Sequence, residues 1–217
     1  MKCIEHRSEH MIEIYFFMHP LCLNCLEVEK KIIELTHQYE RPIALRFIPL
    51  LNLKSFRQFI QFTQLPTDLT TRNDLFSINY STVLDYKAVQ LQGKKKGRDF
   101  LLHLQERILL ENQPYSKNLV LESLNKVGAN IDMFYSDRPS KQVKNIFLTE
   151  QRLALEMGAA ERPAIVTFNY GKDEDFGVLV VNPSSETVQK LFNNLDNLNQ
   201  YLHQMTSDIF YSDLFDS

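Results

Sequence analysis

The 217-residue sequence lacks tryptophan, is poor in glycine and proline, and contains three cysteines. Six glycines and eight prolines give few turn signals for this length, which disfavours a sandwich or barrel and favours helices. With 44% hydrophobic residues, the chain can bury a core without crosslinks. Three cysteines in a reducing compartment do not predict a disulfide framework, so they point instead to redox or metal chemistry.

Neither sign of charge dominates, and there is no long apolar run. The 27 acidic and 24 basic residues give a formal net charge of -3, so we expect no nucleic-acid partner and no membrane partner. No segment approaches the roughly 18 consecutive apolar residues that span a bilayer. Charged residues interrupt residues 1–18, unlike the apolar core of a signal peptide. We therefore expect an uncleaved cytoplasmic protein that is monomeric or weakly self-associating.

The amino-terminal third predicts a β-α-β unit. Residues 12–17 are β-branched and aromatic and precede a His-Pro turn, which is typical of a buried strand. From Cys22 to about residue 39, apolar residues recur at helical spacing, and the charged residues between them, including Glu29, are assigned to the remaining faces. Residues 43–48 then predict a second strand, parallel to the first.

The rest of the chain is helical until residue 157 and then returns to strands. Residues 53–157 predict four or five helices. The two apolar runs at 164–168 and 176–181 predict an antiparallel hairpin, and Ser184 or Ser185 can cap a final helix. The breaks between the predicted helices lie near Pro66, Gly93, Pro114, residues 128–130 and Pro139.

This order of elements predicts an α/β protein with a thioredoxin fold and an inserted all-helical subdomain. The predicted domains are a thioredoxin-like domain, a helical insertion and an acidic aromatic tail, spanning residues 1–52 with 158–206, residues 53–157, and residues 207–217.

Cys22 and Cys25 are the candidate reactive residues. Cys22 falls where a strand gives way to a helix, and the free amides and positive end of a helix favour thiolate over thiol. Cys25 lies one turn later, within reach to resolve a mixed disulfide on Cys22. The pattern therefore predicts that Cys22 attacks and Cys25 resolves; incidental thiols at a helix start are the alternative.

Two further positions are predicted to join this site. Pro163 immediately precedes the third strand, and we predict a cis Arg162–Pro163 bond facing the cysteines, with an ordinary strand-start proline as the alternative. Arg162, Pro163 and Ala164 would then pair with an extended peptide. His19 could stabilise the thiolate if cationic, or could be a turn residue that faces water.

A metal site is the rival interpretation of the amino terminus. Cys3, His6 and His10 have spacings that zinc accepts, although a tetrahedral structural site would need a fourth ligand from Cys22, Cys25 or His19. A solvated, flexible end is the alternative. No cofactor is otherwise required.

Three segments resemble the DsbA-like family, and within it the YjbH (SpxH) branch of Firmicutes. They are residues 17–25 around the cysteines, residues 91–105, and residues 157–163 ending in Arg-Pro. The sequence departs from that branch at His19, where aspartate is common, and at Leu26, where an aromatic residue is common.

The resemblance implies a choice between two classes of function. Members of the YjbH branch are adaptors that bind the regulator Spx and promote its degradation by the ClpXP protease. Other DsbA-like proteins are thiol-disulfide oxidoreductases or dithiol-disulfide isomerases. We therefore expect an adaptor with a redox-capable Cys22–Cys25 pair, and an oxidoreductase or isomerase as the alternative.

Overall fold

A computed structural model describes residues 11–63, 68–169 and 177–197 of the chain. The strands are β1 (Ile12–Met18), β2 (Ile43–Pro49), β3 (Ala164–Asn169) and β4 (Gly177–Val181). The helices are α1 (Leu23–Gln38), α2 (Leu53–Thr63), α3 (Leu69–Leu91), α4 (Lys94–Leu109), α5 (Lys117–Lys126), α6 (Ile131–Asp137), α7 (Lys141–Glu156) and α8 (Ser185–Asn193), followed by a 3₁₀ turn, Leu195–Asn197.

The four strands form one mixed sheet in the order β2-β1-β3-β4. β1 pairs with β2 in parallel, with Phe16 opposite Phe47, and this confirms the predicted β-α-β unit. β3 runs antiparallel to both β1 and β4, which confirms the predicted hairpin. Ser184 caps α8 by accepting a hydrogen bond from the Thr187 amide, as predicted for one of the two serines.

The sheet is buried on both faces, because alternate β1 side chains enter different cores. Phe16 and Met18 face a core that includes Val28 and Ile32 of α1 and residues of α8. Phe17 faces the opposite core, which Ala154 of α7 helps to cover. This two-sided burial explains the continuous apolar run of β1.

The predicted number of helices between β2 and β3 is wrong. Six helices lie there in the described ranges, because each of the five predicted breaks falls between two separate helices, and five breaks divide the segment into six. Gly97 lets α4 approach α3 closely, since a Cβ atom there would lie 2.9 Å from the Gln90 Cα. The helices enclose a second core that includes Leu84, Phe100, Leu104, Leu124 and Phe134.

Some expectations concern residues outside the described ranges. These are the proposed zinc ligands Cys3, His6 and His10, and the tail at 207–217. The domain boundaries also stay predictions. Among the helices that the structure describes, none combines the length and apolar character needed to cross a membrane.

Candidate dithiol site

The two cysteines lie at the start of α1, directly after the turn that follows β1. Cys22 occupies the N-cap position with extended backbone angles, φ -129° and ψ 124°. Its carbonyl accepts the first helical hydrogen bond, from the Leu26 amide at 3.0 Å. Cys25 lies in the first turn of the helix and is 2% exposed, compared with 7% for Cys22. Both thiols are free.

The surroundings of Cys22 favour its thiolate. A side-chain hydrogen bond from Cys25 is the largest effect, and amide hydrogen bonds from Cys25 and Asn24 act in the same direction. Burial and the negative charge of Glu27 oppose them. The net result lowers the Cys22 pKa from 9.0 to about 7, so a large fraction of this sulfur is ionised near neutral pH.

Cys25 has the opposite tendency. Its hydrogen bond to Cys22 stabilises the protonated thiol, and burial and the charge of the Cys22 thiolate add to the effect, so its pKa is raised well above 9.0. One sulfur is therefore prepared to be a nucleophile while the other stays a thiol until the first has reacted. This asymmetry favours the predicted roles, in which Cys22 attacks and Cys25 resolves, and the roles themselves stay a prediction.

Both interpretations of His19 are wrong. The side chain is 5% exposed, so it does not face water, and its ring lies 5.4 Å from that of Phe59. Burial lowers the pKa of His19 from 6.5 to about 4 despite a hydrogen bond with the Leu50 backbone. The imidazole is therefore neutral at neutral pH and supplies no positive charge to the thiolate.

The sequence analysis did not predict that an acid is buried near the cysteines. Glu29 lies one helical turn after Cys25 and is fully buried, although the sequence pattern assigned it to an outer face. Gln105 of α4 donates to Glu29 Oε1 at 3.1 Å and to the Pro20 carbonyl at 2.9 Å. The sequence did contain a signal for this position: Glu29 follows Cys25 by four residues, which places the two side chains on the same face of α1.

Burial determines the ionisation of Glu29. Desolvation raises its pKa from 4.5 to about 8, while the Gln105 hydrogen bond opposes the shift and the charge of Cys22 adds to it. The second carboxyl oxygen, Oε2, has no hydrogen-bond partner among the described atoms. Glu29 is therefore mainly an uncharged carboxylic acid at neutral pH.

Pro163 lines the same cavity as the cysteines, but the Arg162–Pro163 bond is trans. No peptide bond between described residues is cis, so the predicted cis bond is wrong and the strand-start alternative describes the backbone. The Pro163 carbonyl accepts a hydrogen bond from the Asn182 amide at 2.7 Å, which extends the β3–β4 pairing. Asn182 has a left-handed φ of 50° and turns the chain towards α8.

A cavity of about 610 Å³ connects these elements. It joins Cys22 and Cys25 to Arg162 and Pro163, as the sequence analysis expected, whereas Ala164 is buried in the sheet and does not line it. Spacing alone could not predict the contributions of α2 and the turn after β4, because they are distant in sequence. The described residues that line it are Phe16, His19, Cys22, Asn24, Cys25, Val28, Gln58, Phe59, Gln61, Arg162, Pro163, Asn182 and Pro183.

The metal prediction is not tested by these residues. The described ranges contain no group of three or more His, Cys, Asp or Glu side chains that could hold a metal ion. The proposed ligands Cys3, His6 and His10 lie outside them, so a zinc site at the amino terminus stays a prediction.

The dithiol lies at the first turn of a helix, directly after the first strand of a β-α-β unit, and that strand also pairs with a β-hairpin. This arrangement defines a thioredoxin-fold protein. The thioredoxin family profile matches residues 15–208, and the chain belongs to that family. Solved structures support the DsbA-like form of the fold: the oxidoreductase DsbA from Xylella fastidiosa matches with a TM-score of 0.57 and 14% identity, over 88% of this chain and 87% of that one.

Curated relatives indicate a narrower group. The chain is 28% identical over 210 residues to the ClpXP adapter protein SpxH of Bacillus cereus, covering 88% of this chain and 70% of the relative. It is 26% identical over 186 residues to SpxH of Bacillus subtilis, covering 78% of this chain and 62% of the relative. The expected resemblance to the SpxH branch is thus confirmed, and the chain spans about two thirds of the length of these relatives.

Proposed function

We propose that this protein is a cytoplasmic adaptor that binds an Spx-like regulator and promotes its degradation by ClpXP. The similarity to ClpXP adapters over 88% of the chain carries the proposal. The cavity beside Cys22 supports it, because apolar and amide side chains can hold an extended protein segment.

The dithiol supports a second candidate function, reduction or isomerisation of disulfides. The Cys22 thiolate would attack a substrate disulfide, forming one Cys22–substrate bond and releasing one substrate thiolate. Cys25 would then lose its proton to solvent and attack Cys22, forming the Cys22–Cys25 disulfide and releasing the second thiolate. The substrate gains two electrons, and a dithiol reductant returns the protein to its reduced state. The observation that favours this function is the opposite shift of the two thiol pKa values.

The two functions differ in their need for sulfur. Binding relies on the shape and polarity of the cavity, which serine preserves, whereas disulfide exchange requires the Cys22 thiolate. We therefore compare wild type, Cys22→Ser/Cys25→Ser and the matched control Cys3→Ser in two assays. One measures the rate at which purified ClpXP degrades Spx, and the other measures disulfide reduction.

We expect all three proteins to accelerate Spx degradation, and the double variant alone to lose disulfide reduction. If no variant accelerates degradation while wild type and Cys3→Ser reduce disulfides, the adaptor proposal is wrong and the protein is an oxidoreductase. Acceleration that disappears with the double variant would show that adaptor function depends on the thiols.

A further inference from the structure

The polar lining of the dithiol cavity consists mostly of uncharged side chains. Four amide side chains, from Asn24, Gln58, Gln61 and Asn182, contribute to it. His19 also lines it and is neutral for the reason given above. Among the lining residues that the structure describes, the one with a permanently charged side chain is Arg162, and none is a carboxylate.

Arg162 is available to a ligand. The residue is exposed and forms no close ion pair in the part of the chain that the structure describes, although its charge acts on the neighbouring Glu161 and helps to lower the pKa of that carboxyl group. The adjacent carboxylate, Glu161, is already paired with Lys54 of α2 at 2.7 Å. Glu161 is therefore held towards α2, and it lies outside the lining of the cavity.

A second acid near Cys22 lies outside the lining of the cavity as well. Glu27 is exposed on α1, and its charge disfavours the Cys22 thiolate, but its side chain is not part of the lining. The described lining thus offers one positive charge next to Pro163, uncharged hydrogen-bonding groups, and apolar side chains that include Phe59 and Val28.

From this arrangement we infer that the cavity binds an extended protein segment in which a cysteine is flanked by acidic residues. The segment's sulfur contacts Cys22, its backbone pairs with the amide side chains, and a neighbouring carboxylate pairs with Arg162. Guanidinium and carboxylate form paired hydrogen bonds, which makes arginine a selective partner for an acid. The inference rests on the proposed function insofar as both place a client protein in this cavity.

The test uses Cys3→Ser/Cys25→Ser protein, in which Cys22 is the remaining thiol. Short peptides carry one central cysteine flanked on both sides by Glu, Gln or Lys, and each is activated as a mixed disulfide with thionitrobenzoate. The Cys22 thiolate attacks the peptide sulfur and forms a Cys22–peptide disulfide. The original disulfide breaks, and thionitrobenzoate leaves with the electron pair as a coloured thiolate, whose release gives the rate.

The rate with the Glu peptide is divided by the rate with the Lys peptide for each protein. Flanking charges also change the intrinsic reactivity of a peptide, so these ratios are compared between proteins, where that effect cancels. We expect the ratio to be about threefold higher with Arg162 than in Arg162→Gln, the size of one exposed ion pair. In Arg162→Glu the preference should change towards the Lys peptide.

Arg152→Glu is the matched control for Arg162→Glu, because it changes the net charge by the same amount. Arg152 is exposed on α7 and lies outside the described cavity lining. The Arg152→Glu protein should retain the wild-type ratio. Equal ratios in all proteins, or failure of every peptide to form the Cys22 adduct, would overturn the inference.

Failure of this inference is distinguishable from failure of the proposed function. Loss of charge preference in a protein that still accelerates Spx degradation rejects only the acidic-segment inference. A clear dependence on Arg162 in a protein that never accelerates Spx degradation supports the inference and rejects the adaptor.

Discussion

Replacement of Glu29 by glutamine should remove a pH-dependent loss of stability. The carboxyl group is fully buried, and its pKa in the folded protein is about 8, compared with 4.5 for an ordinary glutamate. Below pH 4.5 both folded and unfolded chains are protonated, and the group contributes nothing. Between pH 4.5 and 8 the unfolded chain ionises first, so the free energy of unfolding falls as pH rises.

The size of the effect follows from the shift. At pH 7 the carboxyl group stays mostly protonated in the folded protein, whereas in the unfolded chain the pH lies about 2.5 units above its pKa. Ionisation therefore stabilises the unfolded chain by about 3 kcal/mol. Glu29→Gln cannot ionise, so its unfolding free energy should gain about this amount relative to the parent between pH 4 and pH 7. Glu29 Oε2 has no partner among the described atoms, so the new amide group there can cost stability, but this cost does not change with pH.

The measurement is urea denaturation followed by circular dichroism, because the chain has no tryptophan to report by fluorescence. Both proteins carry Cys22→Ser and Cys25→Ser, since Cys22 titrates in the same range. This background also removes the charge of Cys22, the smallest of the effects that shift the Glu29 pKa, and leaves the dominant effect of burial. Glu27→Gln, an exposed position on the same helix, is the matched control and should show no comparable gain. A stability difference between the parent and the Glu29→Gln protein that is constant from pH 4 to pH 8 would refute the reasoning.

Two further predictions concern the neighbours of Cys22. Cys25→Ala should raise the Cys22 pKa above about 7, because it removes the hydrogen bond that contributes most to stabilising the thiolate. Cys25→Ser retains a hydrogen-bond donor and should change the Cys22 pKa less. The pH dependence of Cys22 alkylation in a Cys3→Ser background measures this, and the same midpoint with Cys25 and with Cys25→Ala would contradict the prediction. His19→Phe should reduce the loss of stability on acidification. The imidazole pKa is about 4 in the folded protein and 6.5 in the unfolded chain, so protonation favours the unfolded chain as the pH drops through this interval. The free energy of unfolding therefore falls by about 3 kcal/mol at pH 4 in the parent. Urea denaturation at pH 4 and pH 7 tests this against the exposed control His37→Phe, and an equal acid loss in the parent and His19→Phe would disprove it.

The sequence by itself determined the scaffold of the site. Three local patterns were enough for this. They are the apolar run of β1, the change to helical spacing of apolar residues at Cys22, and the return to strand-like runs after residue 158. Each depends on neighbouring residues, because the periods of strands and helices, 2 and 3.6 residues, reflect local backbone geometry. They were sufficient to predict the parallel β-α-β unit, the hairpin and the position of both cysteines at a helix start.

Tertiary structure alone decided the environment of those cysteines. Glu29 is buried because α4, which carries Gln105 76 residues away, packs against α1, and this burial keeps the carboxyl group neutral. His19 is neutral because it packs beside Phe59 of α2, and Arg162 reaches the cavity because β3 pairs with β1. Charge and burial at such a site are sums over contacts between distant segments, which local spacing does not contain.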